Sequence, residues 1–327
     1  MNMCKAISCI FVFIKIEIKK MSRTVKDYVV IGLKGIAMGA ADVVPGVSGG
    51  TIAFISGIYE ELLSSISNVN LSLLKILQKE GLKVAWKQLN GSFLVVLFAG
   101  VFISIFSLAK VIKWLLENKP ILLWSFFFGL VLASIIYIGK QITKWKVKAI
   151  LALVIGVVIA YYITTLNPMV TENSSSIFIF LSGAIAICAM ILPGISGSFI
   201  LVLLGAYKPV LEAIDSKNFT TIAIFGIGAI IGLISFSRVL KWLFEHHKNS
   251  TLAALTGFII GSLNKIWPWK ETLTWRTNSH GIKIPFNQQS VSPFSFDGDS
   301  QLLFAILLAV VGFGLILVLE KLAVKNE

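Results

Sequence analysis

The sequence predicts an all-α polytopic membrane protein arranged as an inverted-topology repeat, in which each half is a re-entrant helical hairpin followed by three transmembrane helices. Composition is the first observation: 56% of the 327 residues are hydrophobic, 14% are charged, and the mean hydropathy is +0.87. A soluble domain carries about 25% charged residues. The other two observations are helix-breaking residues inside apolar stretches and one motif that occurs in both halves. The alternating segments of about ten residues that indicate a β-barrel are absent.

The net charge of the chain is +13. Lys and Arg accumulate in the cytoplasmic loops of membrane proteins, which accounts for this excess. Nucleic-acid binding would need a basic face on a soluble domain, so no nucleic-acid partner is expected. The three cysteines (Cys4, Cys9 and Cys188) lack metal-ligand spacing, and we expect neither a metal site nor a cofactor.

The first repeat is predicted to cover residues 28–166, after a cytoplasmic N-terminal extension at 1–27. It begins with a hairpin at 28–66, whose arms of roughly 15 to 18 residues are short for two full spans. A basic surface segment follows at 67–92, where lysines recur every four residues and predict an amphipathic helix on the membrane surface. The three predicted spans are Phe93–Leu116, Ile121–Gly139 and Val147–Leu166.

The second repeat is predicted at 177–322, with a hairpin at 177–214 and a polar loop at about 270–300. Its three predicted spans are Thr221–Phe244, Leu252–Trp267 and Leu302–Leu322.

The two halves share sequence blocks, which indicates an internal duplication. The segment Pro45-Gly46-Val47-Ser48-Gly49 recurs as Pro193-Gly194-Ile195-Ser196-Gly197 at an offset of 148 (193 − 45). Downstream, Lys110, Trp114 and Gly129 recur as Arg238, Trp242 and Gly257 at an offset of 128 (242 − 114). The basic surface segment, which only the first half contains, accounts for the difference.

A re-entrant hairpin returns the chain to the side from which it came, so each half would cross the membrane an odd number of times. The two halves then run in opposite directions, as in many secondary transporters. A single broken span would instead make the number of crossings even and the repeat parallel. Lysines crowd the segment 140–148, whereas 167–176 contains neither Lys nor Arg. This asymmetry predicts that both termini are cytoplasmic.

The predicted hairpin breaks are Pro45 and Gly46 in the first half and Pro193 and Gly194 in the second. Peptide groups freed by a break find no partner in hydrocarbon, so a break must be buried in protein or line a wet cavity. Freed N–H groups at the start of the next helix, with hydroxyls beside them, suit an anion. The predicted substrate-binding residues are Ser48, Gly49, Gly50, Thr51, Ser196, Gly197 and Ser198. Alternatively, these small residues let the two hairpin tips pack together.

Asp42 lies three residues before Pro45, and its counterpart in the second half is Met190. A carboxylate inside the membrane is costly and is by default a functional hypothesis, so we predict that Asp42 carries a coupling proton. The alternative is a carboxylate held by local N–H groups or by Lys34.

Lys110 and Arg238 lie near the ends of equivalent spans and are predicted to bind an anionic headgroup. Arg238 is the stronger candidate because a guanidinium is always charged and binds phosphate with two parallel hydrogen bonds. Alternatively, both side chains extend to the interface beside Trp114 and Trp242.

In the segments Ala41–Thr51 and Leu192–Ser198, the chain resembles the bacterial and archaeal polyprenyl-phosphate transporters (PopT-like). That family was formerly catalogued as a conserved membrane domain of unknown function. The resemblance covers about residues 28–322. It implies a transporter, not an enzyme: a flippase in the cytoplasmic membrane that returns undecaprenyl phosphate to the cytoplasmic leaflet for cell-wall synthesis. The expected partner is this membrane lipid, and a homo-oligomer is compatible with the sequence.

Two rival functions fit parts of the pattern. Polyprenyl-diphosphate phosphatases also have inverted repeats and a Pro-Gly-x-Ser element, but their motif carries Arg after the Ser and an acidic Glu-x-x-x-Glu cluster. Here Gly49 and Gly197 occupy the Arg position. The second rival is a secondary transporter of a small anion.

Overall fold

The computed structural model describes residues 23–44, 47–166, 175–277 and 283–324. These residues are mostly helical, which confirms the predicted class of helical membrane protein. The helices of the first half are α1 (Val25–Val43), α2 (Gly49–Ile55), α3 (Tyr59–Ser67), α4 (Leu71–Glu80), α5 (Leu82–Gln88), α6 (Gly91–Asn118), α7 (Pro120–Gln141) and α8 (Val147–Thr165). The second half contains α9 (Ser176–Ile191), α10 (Gly197–Leu204), α11 (Tyr207–Asp215), α12 (Phe219–Ser262), a 3-10 turn (Leu263–Ile266), β1 (Lys270–Thr277), β2 (Lys283–Ser290) and α13 (Leu302–Val324).

Among the described residues, four helices are long and apolar enough to cross a bilayer: Gly91–Asn118, Pro120–Gln141, Val147–Thr165 and Phe219–Ile266. The pair α10 and α11 would make a fifth span, but its two helices meet at 104°. The short helix α2, at seven residues, is about 10 Å long and cannot span. Most of the predicted apolar segments therefore correspond to helices of membrane length, separated by short helices at the two breaks.

Helix α12 is bent where the sequence predicts a connection between two spans. Its 44 residues would extend about 66 Å if straight, twice a hydrocarbon core of about 30 Å. The backbone leaves the helical region at His247 (φ −136°, ψ 40°). The Thr251 hydroxyl lies 3.1 Å from the carbonyl oxygen of Leu243, eight residues back, where a straight helix would rise about 12 Å. The helix is thus two segments that meet at His247.

The basic surface segment forms the exposed helices α4 and α5, joined at Gly81, whose φ is +87°. Its lysines are all exposed: Lys75, Lys79, Lys83 and Lys87.

The predicted polar loop at 270–300 contains a feature that the sequence analysis did not anticipate. Strands β1 and β2 pair antiparallel, with Lys270 opposite Ser290. The indole N–H groups of Trp267 and Trp269 donate to the carbonyl oxygens of Val291 (2.8 Å) and Ser300 (2.9 Å). These bonds hold the segment against the end of α12, so a small β-hairpin is added to an otherwise helical chain.

The local structure after the two breaks is the same in both halves. Each break precedes a short helix, α2 or α10, and each short helix leads to a glycine at φ +75°, Gly57 or Gly205. The next helix begins at a tyrosine in both cases, Tyr59 or Tyr207. The sequence duplication at offset 148 is therefore matched by backbone conformation.

Helix packing also recurs between the halves. A Cβ on Gly35 in α1 would overlap the carbonyl oxygen of Leu97 in α6, and a Cβ on the equivalent Gly183 in α9 would overlap that of Phe225 in α12. These close approaches need glycine because the backbones touch.

A second pair of equivalent contacts crosses between the halves. A Cβ on Gly129 in α7 would overlap the backbone of Ala309 in α13, and a Cβ on Gly257 in α12 would overlap that of Leu153 in α8. Helices α7 and α8 of the first half therefore each pack against a helix of the second half.

Gly129→Ala is expected to destabilise the protein by about 1–3 kcal/mol, because the added methyl group forces α7 away from α13. Thermal unfolding in detergent measures the change. Gly139→Ala is the control, since a Cβ there meets nothing within 4 Å. An unchanged melting temperature for Gly129→Ala would contradict this packing.

Candidate functional site

The two breaks lie against each other. The first break is residues 44–48, of which the predicted Pro45 and Gly46 lie outside the described residues; the second break is residues 192–196. The Ser48 hydroxyl donates to the carbonyl oxygen of Met190 at 2.9 Å, and the Tyr59 hydroxyl donates to that of Ile191 at 3.1 Å. Carbonyl groups at the end of a helix lack helical partners. Side chains from the first half supply these partners to α9.

Thr51 makes the third contact between the breaks. Its hydroxyl oxygen accepts the backbone N–H of Gly194 at 3.0 Å. Gly194 has a φ of +87°, and a Cβ there would lie 2.7 Å from the Ser262 hydroxyl of α12. Glycine is therefore required at this position by both conformation and space. The second break is enclosed between α2 of the first half and the end of α12.

Asp42 is held locally. Its Oδ1 atom accepts the backbone N–H of Gly49 at 2.7 Å, and the Ser48 hydroxyl oxygen accepts that of Gly50 at 3.1 Å. The first N–H groups of α2 thus already have partners within the chain. The amine of Lys34 donates to the carbonyl oxygen of Ser56 at 2.6 Å. The sequence suggested local N–H groups or Lys34 as partners of Asp42, and the structure shows an N–H group, that of Gly49.

The second break is arranged differently. Ser196 does not cap α10 with its side chain; its hydroxyl lies 2.9 Å from that of Ser198, which is exposed. Gly197 lies close to α9, where a Cβ would be 2.7 Å from the carbonyl oxygen of Ala186. The first break is closed by Asp42 and Ser48, whereas the second presents hydroxyl groups at its surface.

The two predicted headgroup cations lie elsewhere. The guanidinium of Arg238 donates to the carbonyl oxygen of Val69, just after α3, at 2.7 Å. Lys110 is exposed on α6. In the contacts of the described residues, neither side chain touches a break, and their role in substrate binding stays a prediction.

The sequence analysis missed two lysines beside the second break. The ammonium of Lys265 lies 4.3 Å from the ring centre of Phe199 in α10. The ammonium of Lys270 lies 4.4 Å from the ring centre of Trp124 and donates to the carbonyl oxygen of Lys265. Burial and the neighbouring Lys265 charge lower the pKa of Lys270 to about 7. The sequence signal that could have found them is a pair of lysines flanking the segment Trp267-Pro268-Trp269.

Paired helix breaks that dock on each other inside a multi-pass helical protein are typical of membrane transporters with broken helices. The chain belongs to the VCA0040-like family, described as undecaprenyl phosphate translocase-like, whose model matches residues 38–284. The chain is accordingly a transporter and not an enzyme.

Two curated relatives carry the same name. A polyprenyl-phosphate transporter of Vibrio cholerae serotype O1 (strain ATCC 39315 / El Tor Inaba N16961) is 51% identical over 309 residues, covering 93% of this chain and 100% of the relative. A polyprenyl-phosphate transporter of Staphylococcus aureus (strain NCTC 8325 / PS 47) is 34% identical over 253 residues, covering 72% of this chain and 85% of the relative. No solved structure matches the chain significantly.

Thr51→Val is expected to lower the free energy of unfolding by about 1–3 kcal/mol, because it leaves the N–H of Gly194 without its acceptor while keeping the shape of the side chain. Thermal unfolding in detergent measures the loss. Thr164→Val is the matched control, since its exposed hydroxyl bonds only within its own helix, to Tyr161. Equal melting temperatures for the two variants would contradict a structural role for this contact.

Proposed function

We propose that this protein is a flippase for undecaprenyl phosphate, which returns the lipid carrier to the cytoplasmic leaflet for cell-wall synthesis. The observation that carries the proposal is the docking of the first break on the second through Ser48, Thr51 and Tyr59, in a family described as undecaprenyl phosphate translocase-like. A phosphate headgroup must exchange its water for protein donors during passage, whereas the isoprenoid tail stays in lipid. Breaks that concentrate N–H and hydroxyl groups inside a membrane protein suit this exchange.

The proposed architecture is an inverted-topology repeat with re-entrant hairpins and both termini in the cytoplasm. Equivalent glycine contacts in the two halves support the repeat. The contacts of Gly129 and Gly257, in which a helix of one half packs on a helix of the other, support a two-fold relation between the halves. The distribution of Lys and Arg supports the orientation of the termini in the plasma membrane.

The proposed headgroup path runs between the two breaks. In the described arrangement, Ser48 and Thr51 bond to the second break, and Ser196 and Ser198 face outward. When the breaks part, the hydroxyls of Ser48 and Thr51 become free to bind a phosphate oxygen. Gly49, Gly50 and Gly197 let the backbone come close to it. The same groups that close the path would thus bind the headgroup within it.

Asp42 is the proposed proton carrier. It lies at the end of α1 with one oxygen on the N–H of Gly49. The equivalent position in the second half is Met190, so the carboxylate has no symmetric copy. Protonation would weaken its bond to Gly49 and so loosen the start of α2, which carries Thr51. This would link proton binding to the opening of the breaks.

The function is tested with the purified full chain in liposomes that contain polyprenyl phosphate in one leaflet. We expect the protein to equilibrate polyprenyl phosphate between leaflets, and not polyprenol, which lacks the phosphate. Phosphate release from polyprenyl diphosphate would instead identify a phosphatase. Uptake of a small anion without lipid movement would identify the second rival.

Asp42→Asn is expected to abolish the acceleration of lipid transport by a pH gradient. Asn keeps an oxygen that can accept the Gly49 N–H but cannot carry the proton. The measurement is the transport rate with and without an imposed gradient. The control is Asp215→Asn, at the exposed end of α11. Normal rate and normal pH dependence in Asp42→Asn would exclude this coupling role.

A further inference from the structure

Lys265 and Lys270 are half-buried, unlike most lysines in the described part of the chain, and neither belongs to a described ion pair. The described ion pairs are Arg23 with Glu61, Lys113 with Glu117, Lys208 with Glu212, and Lys248 with Glu60. Lys265 instead lies over Phe199, and Lys270 lies over Trp124. Aromatic faces attract an ammonium without neutralising it. The charge of the pair, where protonated, is therefore not cancelled by a described carboxylate.

The lysine pair lies directly beside the second break. Phe199, under Lys265, follows Ser198 in the chain, and Gly194 packs on Ser262, three residues before Lys265. The chain between the two lysines is aromatic: the rings of Trp267 and Trp269 lie 5.4 Å apart, centre to centre. The two lysines therefore lie beside α10, the short helix that begins directly after the second break.

We propose that Lys265 and Lys270 bind the phosphate monoester headgroup of the lipid on the side of the β1–β2 hairpin, before the headgroup reaches the two breaks. This inference rests on the proposed function. A phosphate monoester carries up to two negative charges, which two ammonium groups can match with charge-assisted hydrogen bonds. The hydroxyls of Ser196 and Ser198, which lie 2.9 Å apart at the second break, would take over the headgroup as it moves inward.

This site adds a charge that the breaks lack. The first break offers the headgroup neutral donors and the carboxylate Asp42, which repels an anion. A desolvated phosphate needs a counter-charge at the point where it leaves water. The lysine pair supplies this charge next to the second break.

The test measures binding of a short-chain polyprenyl phosphate to the full-length protein in detergent. Lys265→Met and Lys270→Met are each expected to weaken binding about tenfold or more, the loss of one charge-assisted hydrogen bond. Lys208→Met, an exposed lysine in the second hairpin, is the control and should bind as the unchanged protein does. Lys270→Arg keeps the charge, and its affinity should lie within a few-fold of that of the unchanged protein. This variant therefore distinguishes the loss of the charge from a general loss of folding.

A pH profile gives an independent readout. Lys270 loses its proton near neutral pH, and Lys265 is the charged group that faces it. Affinity should therefore fall as the pH rises, with a midpoint above about 7 because the bound phosphate favours the ammonium form. Lys270→Arg should remove most of this fall, since a guanidinium stays charged.

The outcomes separate this inference from the proposed function. If the unchanged protein neither binds nor moves polyprenyl phosphate, the proposed function fails. If it does both and the two Met variants bind equally well, only the lysine site fails. If inorganic phosphate competes at the same concentration as the lipid, the site serves a free anion and the lipid assignment is wrong.

Discussion

The structure depends on one constraint: peptide groups released by a helix break must find hydrogen-bond partners where there is no water. The end of α9 meets this constraint with side chains from the other half of the chain, Ser48 and Tyr59, and Gly194 meets it with Thr51. The bonds that satisfy the backbone are therefore also the bonds that join the halves. Fold stability and the closed state of the proposed path rest on the same few hydroxyl groups.

The symmetry of the two breaks ends at Asp42. In the first half this carboxylate accepts the N–H of Gly49 and helps to close the start of α2. In the second half Met190 stands in its place, and a thioether cannot take over that strong acceptor role. The hydroxyls of Ser196 and Ser198 consequently remain at the surface. The duplicated elements therefore differ in chemistry at Asp42 and Met190, and also at Gly50, whose equivalent Ser198 provides the second hydroxyl.

The sequence predicts what depends on local pattern. Hydropathy and the Pro-Gly segments located the helices and both breaks, and the offsets located equivalent glycines. It could not show that Ser48 reaches Met190, because those residues are 142 positions apart and either could have faced lipid. The β-hairpin after Lys270 was missed because a short polar pair of strands lacks the alternation of a half-buried sheet. Lys265 was missed because its neighbour Phe199 is distant in sequence.

Helix packing limits how the proposed path can open. Helix α7 packs on α13 and α8 packs on α12, each through a glycine that touches the backbone of the other half. Such contacts leave little room for the two halves to rock as separate bodies. The short helices α2 and α10 also approach α9 closely, at Gly50 and Gly197, but each is joined to the preceding helix through a break, where the backbone is not held by helical hydrogen bonds. The proposed path is therefore expected to open by movement of these two short helices, while the long helices keep their positions.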